Sequence, residues 1–166
     1  ALDARSGAVR WNVPIADSRR GYWSTNAPLV IRNHVIAGVS GDFDNLPGVL
    51  KSFDPADGTL QWTFYSTPPP GTPGSISGGA TGGQMWMTGT YDPELNLVYW
   101  GVGNPAADFY GESRKGANLY TDSVVALDAD TGALKWYYQE IPHDVWDWDA
   151  AYEIVLLDLP VKGVTR

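Results

Sequence analysis

An all-β chain of repeated four-stranded antiparallel blades, part of a β-propeller, is what three features of the sequence predict. A signature of small, apolar, Asp, three residues, Gly, three residues, Trp occurs at Ala1-Leu2-Asp3 with Gly7 and Trp11, at Ser52-Phe53-Asp54 with Gly58 and Trp62, and at Ala126-Leu127-Asp128 with Gly132 and Trp136. The copies start at residues 1, 52 and 126, intervals of 51 and 74, so a unit is about 50 residues long and the second interval carries an insertion of 23. Strand-prone runs punctuated by Gly and Pro lie between the copies, and no amphipathic helix pattern of useful length interrupts them.

Taken in order, each copy reads as a hairpin: Asp and Gly bracket a tight turn, Gly supplying the positive φ, and β-prone residues flank it. Residues 29–31 form a strand that turns at Arg32-Asn33-His34 into a second strand over 35–39. After the second copy, residues 66–83 contain Pro68-Pro69-Pro70, Gly71, Pro73-Gly74 and Gly78-Gly79, a composition that reads as a long surface loop. Residues 86–91 then form a strand that turns at Asp92-Pro93-Glu94 into 97–100. A second loop, 105–121, mixes Gly with charge before strands at 124–127 and 134–138. Hairpin pairs make residues 28–65 and 84–139 two whole blades, preceded by the end of one and followed by the start of another. Propellers close with about 4–8 blades, so residues 1–166 read as a single incomplete propeller domain. The chain opens in mid-pattern at Ala1 and reads as an internal fragment.

Composition bounds the function. The 166 residues include no Cys, 19 Gly and 12 Pro, are 13% aromatic, and carry 19 acidic against 11 basic side chains for a formal charge of −8. A domain of this size buries roughly 68–70% of its unfolded surface, so neither disulfides nor a structural zinc cluster are needed. The acidic balance without a Lys/Arg run argues against nucleic acid or an anionic membrane surface as partner. Apolar runs fall far short of the ~20 residues that span a bilayer, and no signal peptide is visible. The absence of Cys fits an oxidising or a reducing compartment equally.

Three stretches could carry chemistry. Pro142-His143-Asp144-Val145-Trp146-Asp147-Trp148-Asp149 is the most informative. If 146–149 is extended, alternation puts Trp146 and Trp148 on one face and Asp147 and Asp149 on the other, so two carboxylates converge. Like charges at close range call for a cation or a shared proton, hence a hard-metal or an acid/base site. Taken alone, the pair suits a solvated loop with two Trp packed beneath it better, and His143 suits a structural hydrogen-bond role. Gly101-Val102-Gly103-Asn104-Pro105 ends a strand, and the Asn104 amide oxygen is a neutral hard donor; alone it suits a turn before Pro. Gly82-Gly83-Gln84-Met85-Trp86 places an indole after two glycines, where it could floor a planar ligand, although most of the 8 Trp must be core. No GxGxxG before a helix, phosphate loop, HExxH or GxSxG is present.

Together these stretches resemble the pyrroloquinoline quinone (PQQ) dependent alcohol dehydrogenases of the methanol/ethanol dehydrogenase family. The Trp-ended repeats resemble that family's docking motifs, which lock eight blades into one propeller. Trp86, five residues before Tyr91-Asp92-Pro93, matches the Trp on which the quinone stacks; Tyr99 to Pro105 matches the segment whose Asn binds the metal; and Pro142 to Asp149 matches its PHDxWDxD segment. The resemblance implies Asp147 as catalytic base and metal ligand, Asn104 and Asp149 as further metal ligands, and Thr25 and Ser40 as hydrogen-bond partners of the quinone. Where the family runs Ser-Gly-Ala-Glu, this chain has Ser40-Gly41-Asp42-Phe43, so Asp42 is assigned in place of the metal-binding Glu after a one-residue shift, with Asp44 as fallback. Asp149, two residues after the base, accompanies lanthanide use in the family, so the implied ion is calcium or a lanthanide, with the lanthanide favoured. A trivalent ion gains more than a divalent one from an added anionic oxygen.

The implied reaction is oxidation of a small primary alcohol to an aldehyde: the metal polarises a quinone carbonyl, Asp147 takes the hydroxyl proton, and hydride moves to the quinone. Electrons then pass to a cytochrome c. The resemblance further implies a periplasmic location, allows a homodimer, and leaves an isolated segment of this length inactive. Two rivals keep the repeats without this chemistry. A binding scaffold has no reason to converge Asp42, Asn104, Asp147 and Asp149. A carbohydrate-active propeller using Asp147 and Asp149 needs carboxylates ~5–5.5 Å apart for retention or ~6.5–9.5 Å for inversion, and residues two apart on a strand suit only the former.

Overall fold

The computed structural model describes residues 1–41, 46–68, 81–162 and 164–165. It contains two four-stranded antiparallel sheets. The first is a meander of β1 (Leu29–Ile31), β2 (His34–Gly38), β3 (Val49–Phe53) and β4 (Leu60–Tyr65), paired in that order. A two-residue strand, β5 (Thr81–Gly82), follows. The second sheet takes β6 (Thr90–Asp92), β7 (Leu97–Val102), β9 (Ser123–Asp128) and β10 (Leu134–Gln139) in that spatial order, with the short β8 (Pro105–Ala106) pairing back to β5. Each sheet is a propeller blade; the first spans 29–65 against the expected 28–65, and the second spans 90–139 against the expected 84–139. A final ribbon joins β11 (Pro160–Val161) to β12 (Val164–Thr165). Among the described residues no helix is long and apolar enough to cross a membrane.

The core lies between the two blades, where Ile36 and Leu50 of the first meet Val98, Trp100, Val125 and Leu127 of the second, all of them inaccessible to solvent. Burying such side chains contributes about 1.5–3 kcal/mol each. The repeat signature performs the locking. The Trp11 indole N–H donates to the Pro55 carbonyl at 2.9 Å, and the Trp62 indole N–H donates to the Ala129 carbonyl at 3.0 Å, so each Trp bonds the residue after the Asp of the following copy. Each ring also covers the Gly of that copy. A Cβ on Gly132 would stand 2.6 Å from the Trp62 ring, and one on Gly58 would stand 2.8 Å from Trp11. Both glycines hold left-handed φ, +69° and +79°, which closes the turn by a Gly N–H to Asp C=O bond. The third copy's Trp136 has no following copy in this chain; it is 46% exposed against 7% for Trp62.

One strand is shorter than expected, and the described parts of the two long loops are partly buried. The strand expected over 86–91 is confined to Thr90–Asp92, because residues 83–85 give their backbone bonds to other segments. The 105–121 loop is partly enclosed: Arg114, Asn118 and Thr121 are buried within it, while Phe109 and Tyr110 are exposed. Residues 69–80 of the other loop lie outside the described residues, and its described ends, Ser66, Thr67, Gly82 and Gly83, are buried.

Trp62→Ala is expected to destabilise the full-length protein by about 3–5 kcal/mol, the cost of emptying a buried aromatic site. Trp62→Phe keeps most of the apolar surface but orphans the Ala129 carbonyl, for about 1–3 kcal/mol. Chemical denaturation of both variants checks that ordering.

Candidate functional site

The segment 82–85 runs between the blades and is stitched to both. Met85 N–H donates to Val39 O, Gly83 N–H to Asn104 O, and Gly103 N–H to Gln84 O, at 2.9, 2.7 and 2.9 Å. The buried Gln84 side chain adds bonds to the Gly41 and Leu46 carbonyls. Trp86 therefore emerges at a fixed point beside the ends of β2 and β7. On the first-blade side, Trp23 and Ser40 exchange backbone hydrogen bonds, which brings Thr25 alongside. Thr25 Oγ1 lies 3.4 Å from Ser40 Oγ and 3.5 Å from the Trp86 carbonyl. Thr25, Ser40 and Trp86, singled out separately in the sequence, thus form one group.

The same indole reaches the second blade. A Cβ on Gly103 would stand 2.3 Å from the Trp86 ring and 2.8 Å from Asp149 Oδ1, so only Gly leaves room for both side chains beside it. Gly101, two residues earlier, likewise admits a close neighbour: the backbone of 150–152 crosses it so tightly that a Cβ would meet the Ala150 carbonyl at 2.6 Å. That crossing sets Asp149, whose Oδ1 accepts the Asn104 N–H at 3.0 Å. Asn104 stands just past the end of β7, as its sequence position implies, and is buried. Its Nδ2 donates to Asp108 Oδ1 at 2.9 Å and to the Pro105 carbonyl, which leaves the amide oxygen as the atom with lone pairs to offer a cation.

Residues 146–149 are not a strand. Asp147 and Asp149 hold left-handed φ of +63° and +54°, a conformation Asp tolerates better than most residues. The cause is Asp144, buried, whose two carboxylate oxygens accept the N–H groups of Trp146 and Trp148 at 2.9 Å each and curl the chain around it. Face alternation therefore does not bring Asp147 and Asp149 together. Nor are Trp146 and Trp148 packed beneath the loop; they are 73% and 65% exposed. Asp147 is exposed and Asp149 half-buried. His143 has the structural role expected of it, its Nδ1 pairing with the Gly116 carbonyl at 2.9 Å. Asp42 and its fallback Asp44 lie outside the described residues. Among the described residues no three His, Cys, Asp or Glu side chains form a metal-holding group, so Asn104 and Asp149 are a partial donor set.

Two further charged residues surround this loop. Arg114, fully buried, donates to Asn118 Oδ1 and to the carbonyls of Ala107, Asp108 and Asp144, binding the 105–121 loop to the Asp loop. Burial pushes its pKa down against the pull of Asp144, Asp108 and Asp122. Asp122 is also fully buried, and neither carboxylate oxygen has a hydrogen-bond partner among the described residues. Burial, reinforced by the charges of Asp144 and Asp149, pushes its pKa up to about 7. The adjacent Thr121 hydroxyl pulls the other way, but it gives its proton to the Asn118 carbonyl at 2.7 Å.

The chain matches, over residues 4–166, the PQQ family described as glucose/ethanol/alcohol dehydrogenase, beta-propeller domain. It is 36% identical to the quinohemoprotein alcohol dehydrogenase ADH-IIG of Pseudomonas putida, covering all of this chain and 26% of that protein. It is 35% identical to the lanthanide-dependent methanol dehydrogenase of Methylacidiphilum fumariolicum, covering 98% and 30%. Among solved structures, a europium-containing methanol dehydrogenase superposes with a TM-score of 0.90 at 34% identity, covering 99% of this chain and 32% of that one. The chain thus spans about a quarter to a third of the length of the relatives it matches.

Because the folded pKa of Asp122, about 7, lies above the 3.8 of an unperturbed Asp, the folded state holds this proton more tightly than the unfolded chain. Stability from this group is complete below pH ~4 and is lost as pH rises through about 7. Asp122→Asn is expected to flatten the metal-free protein's stability between pH 4 and 8 and to raise it at pH 8, measured by denaturant unfolding across that range.

Proposed function

The chain belongs to the glucose/ethanol/alcohol dehydrogenase β-propeller family of PQQ proteins, and from that premise we propose that it supplies a portion of the active site of a periplasmic, lanthanide-using dehydrogenase that oxidises a primary alcohol and passes electrons to a cytochrome c. The observation that carries this reading is the Trp86–Gly103–Asp149 contact: one glycine holds an indole and a carboxylate together beside the amide of Asn104. These residues suit a flat ligand next to a hard cation. The indole offers a face, the Gly103 cradle leaves room that a Cβ would fill, and Asn104 and Asp149 offer oxygen donors.

In this reading, Trp86 would floor the quinone, and the Thr25 and Ser40 hydroxyls would hydrogen-bond it. Asn104 and Asp149 would hold the metal by oxygen, with Asp42 as a further ligand, and Asp149 would favour a lanthanide because an anionic donor adds more to a trivalent ion than to a divalent one. When bound, PQQ with its metal supplies an electrophilic carbonyl that accepts hydride. Asp147 takes the proton from the alcohol hydroxyl as general base. Its exposure leaves it accessible to substrate, and the Asp144 bonds to the flanking Trp146 and Trp148 amides fix the backbone that carries it.

Asp147→Ala in the full-length protein is expected to abolish ethanol-dependent dye reduction while PQQ still binds, with uptake read from the quinone absorbance; undiminished turnover contradicts the assignment. Gly103→Ala is expected to lose PQQ and metal binding together, because its methyl group displaces both Trp86 and Asp149. Equilibrium dialysis of PQQ against the variant checks this, and wild-type retention overturns the contact as the site's basis.

A further inference from the structure

Asp122 is the carboxylate of this cluster that neither the proposed chemistry nor a hydrogen-bond donor among the described residues occupies. Its neighbours are served by protein donors: Asp144 accepts two amide protons, Asp149 accepts the Asn104 N–H, and Asp108 accepts the Asn104 side chain. Arg114 directs its guanidinium to Asn118 and to main-chain carbonyls, and among the described residues it forms no ion pair with a carboxylate. Asp122, immediately before β9, is inaccessible to solvent, and neither oxygen is hydrogen-bonded within the described residues. A buried carboxylate without donors is costly, and a nearby cation offsets that cost.

The residue is wired to the Asn104–Asp149 pair. Asp122 N–H donates to the Gly103 carbonyl at 3.0 Å, and the next residue, Asn104, donates its own N–H to Asp149. The side chain lies close enough to Asp149, Asp144 and Arg114 to interact with the charge of each. We infer that Asp122 is a specificity-determining residue for the metal, its buried negative charge biasing the site toward trivalent over divalent ions without ligating them. The attraction of a fixed charge grows in proportion to the ion's charge, so a trivalent ion gains half as much again as a divalent one. This inference rests on the reading of Asn104 and Asp149 as metal ligands, and it assigns to Asp122 a contribution separate from that of Asp149.

The test compares wild-type full-length protein with Asp122→Asn, loaded with PQQ at pH 8, by calorimetric titration with La3+ and, separately, with Ca2+. The preference for La3+, the ratio of the two dissociation constants, is expected to fall on the order of tenfold in the variant. A residue that only supports the fold weakens both ions by the same factor or neither, and either result overturns the inference. A structure of the La3+-loaded wild type serves as a second measure independent of the variant's folding. The Asp122 carboxylate is expected within about 10 Å of the ion, and a larger separation, beyond the reach of an unscreened charge, overturns the inference. If the wild type binds neither ion, the parent reading fails and this one with it; if it binds both and the ratio is unmoved by Asp122→Asn, only this inference fails.

Discussion

Each blade is held to the next by an indole. In an all-β chain of meanders, every sheet ends in an edge strand and every face needs cover, so the fold depends on a contact that joins sheets without pairing their strands. The Trp62 N–H bond to Ala129, with the ring lying over Gly132, is that contact between the two blades seen whole, and Trp11 over Gly58 repeats it one unit earlier. The geometry is demanding. The turn must be left-handed at Gly, and any side chain there would fill the space the indole occupies. That is why Asp, Gly and Trp recur at fixed spacing while the residues between them vary.

Once the blades are locked, the space between their inner ends is set, and the 82–85 segment fills it. This segment bonds Val39 on one side and residues 103–104 on the other. Its position sets Trp86 among residues from both blades: Thr25, itself beside Ser40, toward the first, and Gly103, flanked also by Asp149, toward the second. The Asp loop is anchored separately, by Asp144 within the loop and by Arg114 from the 105–121 loop. The site is therefore assembled from segments whose separate backbone bonds fix them before any ligand arrives, as preorganised binding requires.

Much of this is legible in the sequence, and the failures have physical causes. The two blades follow from the repeat because a turn that needs positive φ and a ring that needs a bare glycine leave few residue choices. Thr25, Ser40, Trp86, Asn104 and Asp149 are recognisable as separate candidates, and the structure draws them into one neighbourhood. The extended reading of 146–149 fails because alternation assumes a strand, whereas two amide bonds to Asp144 curl the chain. The strand expected from Trp86 onward fails because the backbone partners of the residues leading into it lie on two different blades. Arg114 and Asp122 carry no local signal: a charged residue between Gly and polar neighbours looks solvated until tertiary packing encloses it.

Two locked blades keep Trp86, Asn104 and the Asp loop close together, where a quinone and its metal are proposed to bind. The most direct measurement reconstitutes the full-length protein with PQQ and either La3+ or Ca2+, then follows dye reduction with ethanol. Ethanol-dependent reduction that requires PQQ and is strongest with La3+ is the expected result. Absence of both activity and PQQ uptake with either ion contradicts it and leaves a propeller that serves as a binding scaffold.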